Sequence, residues 1–268
     1  MRAILIEGDN LKKLHEIELE ILLDVTNFCD KNNIQYFLCS GTLLGAVRHQ
    51  GFIPWDDDVD ISMPRKDFDR FIAISSQLPD KYVCQATKLD TEYPIPIVKV
   101  RKNGTIMKEV SMAHLNINHG VWIDIFPIDR VKFRKRLRIR AKCIHLITTV
   151  INYKLKVCKP SKITTLIFCS LISIIGIDKL DIVRTKLMTL EEKTNGTFYT
   201  NFVSNLGYNN LLFQEQVLFP TKKMEFEGHL FNVPAKSDSW LKKAYGDYLT
   251  LPPIEERINR HTVAELSI

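Results

Sequence analysis

The stretch Gly51–Ile61, GFIPWDDDVDI, places Asp56, Asp57, Asp58 and Asp60 within five positions, between Trp55 and Ile61. Carboxylates this close repel one another, and something must offset the repulsion. A calcium loop fits poorly. Counted from Asp56, an EF-hand loop needs glycine at its sixth position and glutamate at its twelfth, where this chain has Ile61 and Asp67. A solvated acidic turn also fits poorly, because Val59 and Ile61 alternate with Asp58 and Asp60. That alternation predicts a half-buried strand over Asp58–Ser62, with both carboxylates on one face and about 7 Å apart at Cα. Two such groups can converge on a hard cation, Mg²⁺ or Mn²⁺. Asp124, in WIDIF on another expected strand, supplies a third acid. Asp56 and Asp57 fall at the loop edge, either orienting the others or simply solvated.

The surroundings of the cluster predict an α+β fold. Leu11, Leu14, Ile17, Ile21, Leu22, Val25 and Phe28 recur at helical spacing behind Asp9 or Asn10 as a cap. IQYFLC (Ile34–Cys39) reads as a buried strand. It runs into a Ser40-Gly41-Thr42 turn and a helix from Thr42 to Arg48, an order that leaves backbone N–H groups free for phosphate. Pro64 opens a helix that buries Phe68, Phe71, Ile72 and Ile74. IPIVKVRK and GVWIDIFPI read as strands, and the first puts Lys99 and Arg101 on one face.

Composition bounds the rest. The chain has 268 residues, 45% of them hydrophobic, and a net charge of +6, which suits an anionic substrate or surface without choosing between them. Its six cysteines form no Cys-x-x-Cys pair, which fits reduced thiols and a cytoplasmic setting. The opening MRAILIEGDN is too short in apolar residues for a secretory signal. Ile163–Ile177 is apolar but falls short of the ~20 residues of a membrane span. Arg130–Lys142 holds eight basic residues in thirteen and no acid. The expected organisation is a mixed-sheet core from 1–129 and 183–268, with a helical basic insert over 130–182.

GTLLGAVRHQGFIPWDDDVDISMPRKDFDRF, HGVWIDIFPID and YGDYLTLPPIEER together resemble the LicD family of phosphocholine transferases, which includes the fukutin-related ribitol-phosphate transferases. The resemblance runs from about Leu11 to His261. It implies a nucleotidyltransferase-like fold in which Gly41 and Thr42, Asp58 and Asp60, and Asp124 hold the metal and the donor phosphates. It also implies a CDP-linked donor, CDP-choline for LicD-type proteins. The acceptor would be a sugar hydroxyl of a teichoic acid precursor, lipopolysaccharide or another surface glycan. The cysteine-rich zinc element of some fukutin-like relatives is not evident.

These expectations assign Mg²⁺ to Asp58 and Asp60, with Asp124 completing its shell or taking the acceptor's proton. Arg48 is the first choice for a phosphate or cytidine contact, ahead of Lys99 and Arg101; Arg65 and Lys66 follow. Trp55 is the first choice to wall the choline ammonium, among Tyr93, Trp122, Tyr245 and Tyr248. His114 and His119 precede the third acid, and spacing gives no chemistry to Glu255, Arg257 or His261. Rival readings are transfer of ribitol or glycerol phosphate, a nucleotidyltransferase releasing pyrophosphate, and a binding protein without catalysis. The basic insert suits the inner membrane face, where a lipid-linked acceptor would lie, or a solvated cationic face. Nucleic acid is not expected, because few aromatics interleave its charges.

Overall fold

The computed structural model describes residues 4–132, 136–172, 174–194, 196–204 and 206–268. Met1–Ala3, Phe133–Lys135 of the basic run and Ser173 of the apolar segment lie outside the described residues. The first apolar stripe builds α1 (Gly8–Lys31), which buries Leu14, Ile21, Leu22 and Val25 completely. A left-handed backbone at Gly8 (φ 57°) starts the helix early, so Asp9 and Asn10 sit in its first turn and do not cap it. Next come β1 (Phe37–Leu38), α2 (Ser40–His49), β2 (Asp60–Pro64) and α3 (Arg65–Ile74). β1 is shorter than the expected Ile34–Cys39 strand, because only Phe37 and Leu38 pair, with Ser62 and Ile61. β2 begins at Asp60 rather than Asp58, because Asp57 is drawn away toward the C-terminal segment.

β3 (Tyr82–Gln85), β4 (Val98–Lys102), β5 (Ile106–Glu109) and β6 (Trp122–Val131) follow. The main sheet runs β1-β2-β6-β4-β3; β2 and β6 are parallel and the other neighbours antiparallel. The ten-residue β6 is its spine. Its pairing with β4 ends at Ile125, so the N–H that Pro127 lacks is not missed there. Alternation then sorts the faces: Ile61, Met63, Ile123 and Ile125 are fully buried, while Asp60 and Asp124 point the other way. Past Asp129, β6 pairs with β7 (Phe198–Thr200), which carries β8 (Phe213–Gln214). Arg65, at the start of α3, makes a buried two-point ion pair with Asp129, at 2.7 and 3.1 Å, tying helix to sheet.

Between β6 and β7 lie α4 (Arg136–Lys154), α5 (Ile163–Ile172) and α6 (Ile177–Met188). They share a small core of their own, Val150, Ile151, Cys169 and Leu180. After β8 come α7 (Glu215–Leu218), the β9 (Lys222–Phe226) and β10 (His229–Val233) hairpin, and α8 (Ser237–Tyr245). The last strand, β11 (Val263–Ser267), returns to pair with β5. The chain is thus an α+β fold around a mixed sheet.

Candidate active site

Parallel pairing of β2 with β6 sets Asp60 opposite Asp124. On the other side of β6, β4 sets Lys99 opposite Asp124, with Lys99 Nζ 3.1 Å from Asp124 Oδ1. Both carboxylates are buried, at 7% and 6% exposure; the Lys99 ammonium serves Asp124, while Asp60 Oδ1 has no hydrogen-bond partner among the described residues. A buried carboxylate oxygen without a donor is costly unless a cation meets it. Asp58 lies in the loop before β2, so it reaches the cluster from the loop and not along the strand as its alternation predicted. Asp58, Asp124 and His261 each bring a ligand atom within 4.8 Å of the others, as do Asp56, Asp57 and Asp58.

The electrostatics record the crowding. Burial raises the pKa of Asp56, and Asp58 and Asp57 raise it further. Burial likewise raises Asp60, with Asp58, Asp124 and Asp56 adding to it. Asp58 is raised by burial and by Asp124, against the pull of His261. A buried divalent ion would reverse these shifts.

α2 presents its start to this cluster. No side chain caps it, and Ser40 enters it with φ 49°, a left-handed conformation rare outside glycine. A Cβ at position 41 would stand 2.5 Å from Asp56 Oδ2, so Gly41 is what lets that carboxylate lie against the helix start. Thr42 is buried, and its hydroxyl accepts the Asp60 backbone N–H at 2.8 Å, fixing the first residue of β2.

The other expected contacts are distributed unevenly. Arg48 donates to His49 Nε2 (2.9 Å) and to the Tyr248 carbonyl (3.0 Å), which joins it to the C-terminal segment. Arg257 lies 5.3 Å over the Trp55 ring, on a face that a ligand's ammonium would use. Arg101 is fully buried and bonded to Gln85 and the Gly120 carbonyl. Lys99 and Arg101 both stack on Trp122, at 3.8 and 4.7 Å, and Trp122 and Tyr93 are buried at 1% exposure. Arg65 belongs to Asp129 and not to the site. His114 and His119 bond backbone carbonyls of Leu155 and Leu115.

Glu18 and His261, which the sequence left without a role, enter the site, and Asp57 proves to be neither solvated nor at a loop edge. Asp57, fully buried, accepts the backbone N–H groups of Arg260 (3.0 Å) and His261 (3.1 Å), with His261 Nδ1 at 3.3 Å. Burial opposes a charge on His261, but Asp57 and Asp58 outweigh it and push its pKa up to about 9. Glu18 of α1 is 1% exposed, and its Oε2 has no hydrogen-bond partner among the described residues. Burial and then Asp58, Asp57, Asp56 and Asp124 raise its pKa well above the usual range. Its signal was in the sequence: Glu18 falls four residues after Leu14 and four before Leu22, on the buried stripe of α1. A narrow cleft, lined by Cys39, Ser40, Ser62, Tyr199, Phe213 and Trp240 among others, opens beside β2.

Residues 33–140 match the sequence model of the LicD/FKTN/FKRP nucleotidyltransferase domain. The lipopolysaccharide cholinephosphotransferase LicD of Haemophilus influenzae is 25% identical over 267 residues, covering 94% of this chain and 96% of that protein. An uncharacterised protein of Rickettsia prowazekii is 34% identical over 125 residues, 42% of this chain and 46% of its own length. The matched domain, residues 33–140, takes in Asp58, Asp60 and Asp124 and leaves Glu18 and His261 outside it. On these grounds residues 33–140 carry a LicD-type domain, and the chain is similar to the Haemophilus LicD protein over nearly its whole length.

Proposed function

We propose that this chain transfers phosphocholine from CDP-choline to a sugar hydroxyl of a cell-surface glycan precursor of the lipopolysaccharide or teichoic acid type, with Mg²⁺ as cofactor. The observation that carries the reading is the pairing of Asp60 with Asp124, two buried carboxylates, the first with an unpartnered oxygen, beside Asp58 and an uncapped helix start. This donor set is all oxygen among the three acids, which fits Mg²⁺ or Mn²⁺. Asp58, Asp60 and Asp124 would hold the ion. Bound there, it would neutralise phosphate charge and hold the diphosphate in line for displacement. The backbone N–H groups at Gly41 and Thr42 face the donor phosphates, and Lys99 fixes Asp124 in place. Asp56, half-buried beside Asp58 and against the start of α2, takes the proton of the acceptor hydroxyl. The acceptor oxygen forms its bond to phosphorus as the donor's diphosphate bond breaks, and CMP leaves. A setting on the cytoplasmic side of the membrane follows from the donor, which is made inside cells.

The test is incubation with Mg²⁺, a glycan acceptor and CDP-choline, CDP-ribitol or CDP-glycerol in parallel. CMP release with phosphocholine on the acceptor supports the reading, and Asp60→Asn and Asp124→Asn each lower it by orders of magnitude. Turnover only with a polyol donor favours ribitol or glycerol phosphate transfer, a reading aided by Arg257 covering Trp55. Pyrophosphate release from a nucleoside triphosphate would overturn the phospho-alcohol reading altogether.

A further inference from the structure

The segment from Arg130 to Ile177 holds twelve Lys or Arg residues and no Asp or Glu. The chain's net +6 is therefore +12 over these 48 residues and −6 over the rest. Charge alone would suit any polyanion. The outer face of α5 narrows the choice. Ile163, Ile167 and Leu171 recur every four residues and are 66%, 54% and 67% exposed. Phe168 joins them, and Ile174 just past the helix is 90% exposed. The opposite side of α5 packs Cys169 and Ile172 against α4 and α6. Monomers rarely expose contiguous apolar surface beyond a few hundred Å² unless something docks there.

We infer that the outer face of α5 docks on an anionic lipid bilayer, with its apolar side chains entering the headgroup boundary and the preceding lysines meeting lipid phosphates. Lys156, Lys159 and Lys162 are exposed and lead directly into α5. An apolar face bordered by cations is the pattern of a helix lying in the membrane interface. At ten residues α5 is about 15 Å long, half the hydrocarbon thickness, so it lies on the bilayer and does not cross it. No described helix is long and apolar enough to cross. A second copy of the chain fits less well, because two-fold contact through this face brings the lysines of both copies together at a cost. Nucleic acid would use the lysines but leave the isoleucines without a partner.

The inference is independent of the transfer reaction and is tested without turnover. The full-length protein is sedimented with vesicles of phosphatidylcholine alone or mixed equally with phosphatidylglycerol, at low and high salt. Binding to the mixed vesicles that weakens with salt is expected. Replacing Lys156, Lys159 and Lys162 with Gln weakens it on the order of 100-fold. Ile167→Ser with Leu171→Ser weakens it comparably, and both sets are surface changes whose folding is checked by circular dichroism. Loss with the lysine variant but not the isoleucine–leucine variant would overturn the apolar part of the contact and leave a plain polyanion patch. Absence of vesicle binding would overturn the whole inference. So would self-association abolished by Ile167→Ser with no lipid dependence, which would make the face a contact between copies.

Discussion

Asp57→Asn separates the role of Asp57 from that of the other acids. The native carboxylate is fully buried and serves the N–H groups of residues 260 and 261 and the His261 ring. Asparagine keeps one acceptor oxygen and turns an NH₂ toward groups that are themselves donors. Hydrogen bonds to a charged acceptor contribute ~1.5–3 kcal/mol each, and breaking one partner of a buried pair costs ~3–5 kcal/mol. Asp56 and Asp58 are already biased toward their neutral forms, so relief of repulsion returns only on the order of 1 kcal/mol. The lost bonds win, by about 3 kcal/mol, or roughly 5–10 °C in melting temperature. The imidazole gives an independent figure. A rise from 6.5 to about 9 in His261 corresponds to about 3 kcal/mol of preference for its charged form. With Asp57 neutral, burial dominates and the His261 pKa falls toward 6.5 or below. Urea unfolding of the metal-free protein gives the stability, and imidazole resonances followed against pH give the titration. A variant that keeps a His261 pKa near 9 and an unchanged unfolding midpoint refutes the tether.

The remaining predictions concern charge in the same cluster. Asp60→Asn removes a carboxylate whose pKa burial and three neighbours raise, so the metal-free variant melts higher, by on the order of 1–2 kcal/mol, and loses its Mg²⁺-induced shift. A lower melting temperature in the metal-free variant contradicts this. The metal-free protein loses stability as pH rises from about 5 to 9. Glu18, Asp56, Asp58 and Asp60 have raised folded pKa values, so their contribution is whole below the ordinary carboxylate range and falls as they ionise. His261 contributes in full below 6.5 and loses its contribution through about 9. Asp57 has the opposite sign: its pKa is lowered, so its contribution is lost on acidification below about 4. Urea midpoints in chelator at pH 5, 7 and 9 read the balance, and a rise across that range refutes it. Glu18→Gln removes one of these ionisations and flattens the slope.

The parts of the fold that were legible share one property: a period strong enough to outvote local exceptions. The stripe of α1, the buried face Phe68, Phe71 and Ile72 of α3, and the alternation along β6 all appear where spacing put them. What failed was local. Alternation through Asp58 predicted strand, but the Asp57 bonds to residues 260 and 261 pull the chain off the ladder before β2 starts. No pattern around position 57 can announce a partner two hundred residues away. Gly8 started α1 early for a similar reason, since glycine tolerates a backbone turn that capping rules do not anticipate.

The same contrast explains how the cluster itself is assembled. Asp60 and Asp124 lie on adjacent strands, so pairing register alone brings them together, and each was recognisable from its apolar neighbours. Glu18 and His261 come from the two ends of the chain and reach the acids only through tertiary packing. Glu18 has an oxygen without a hydrogen-bond partner among the described residues, and His261 is positioned by a carboxylate that repels its own neighbours. A core that tolerates an unpartnered Glu18 under four aspartates is less stable than an apolar one would be. Leucine at position 18 would continue the stripe of α1 and relieve that cost. The acid at this position therefore has a cause other than packing, and two of the acids that raise its pKa, Asp58 and Asp124, are among those proposed to hold the ion. With a cation among those acids, the repulsion on Glu18 becomes attraction, and the carboxylates that strain the metal-free protein, Glu18, Asp56, Asp58 and Asp60, stabilise the loaded one.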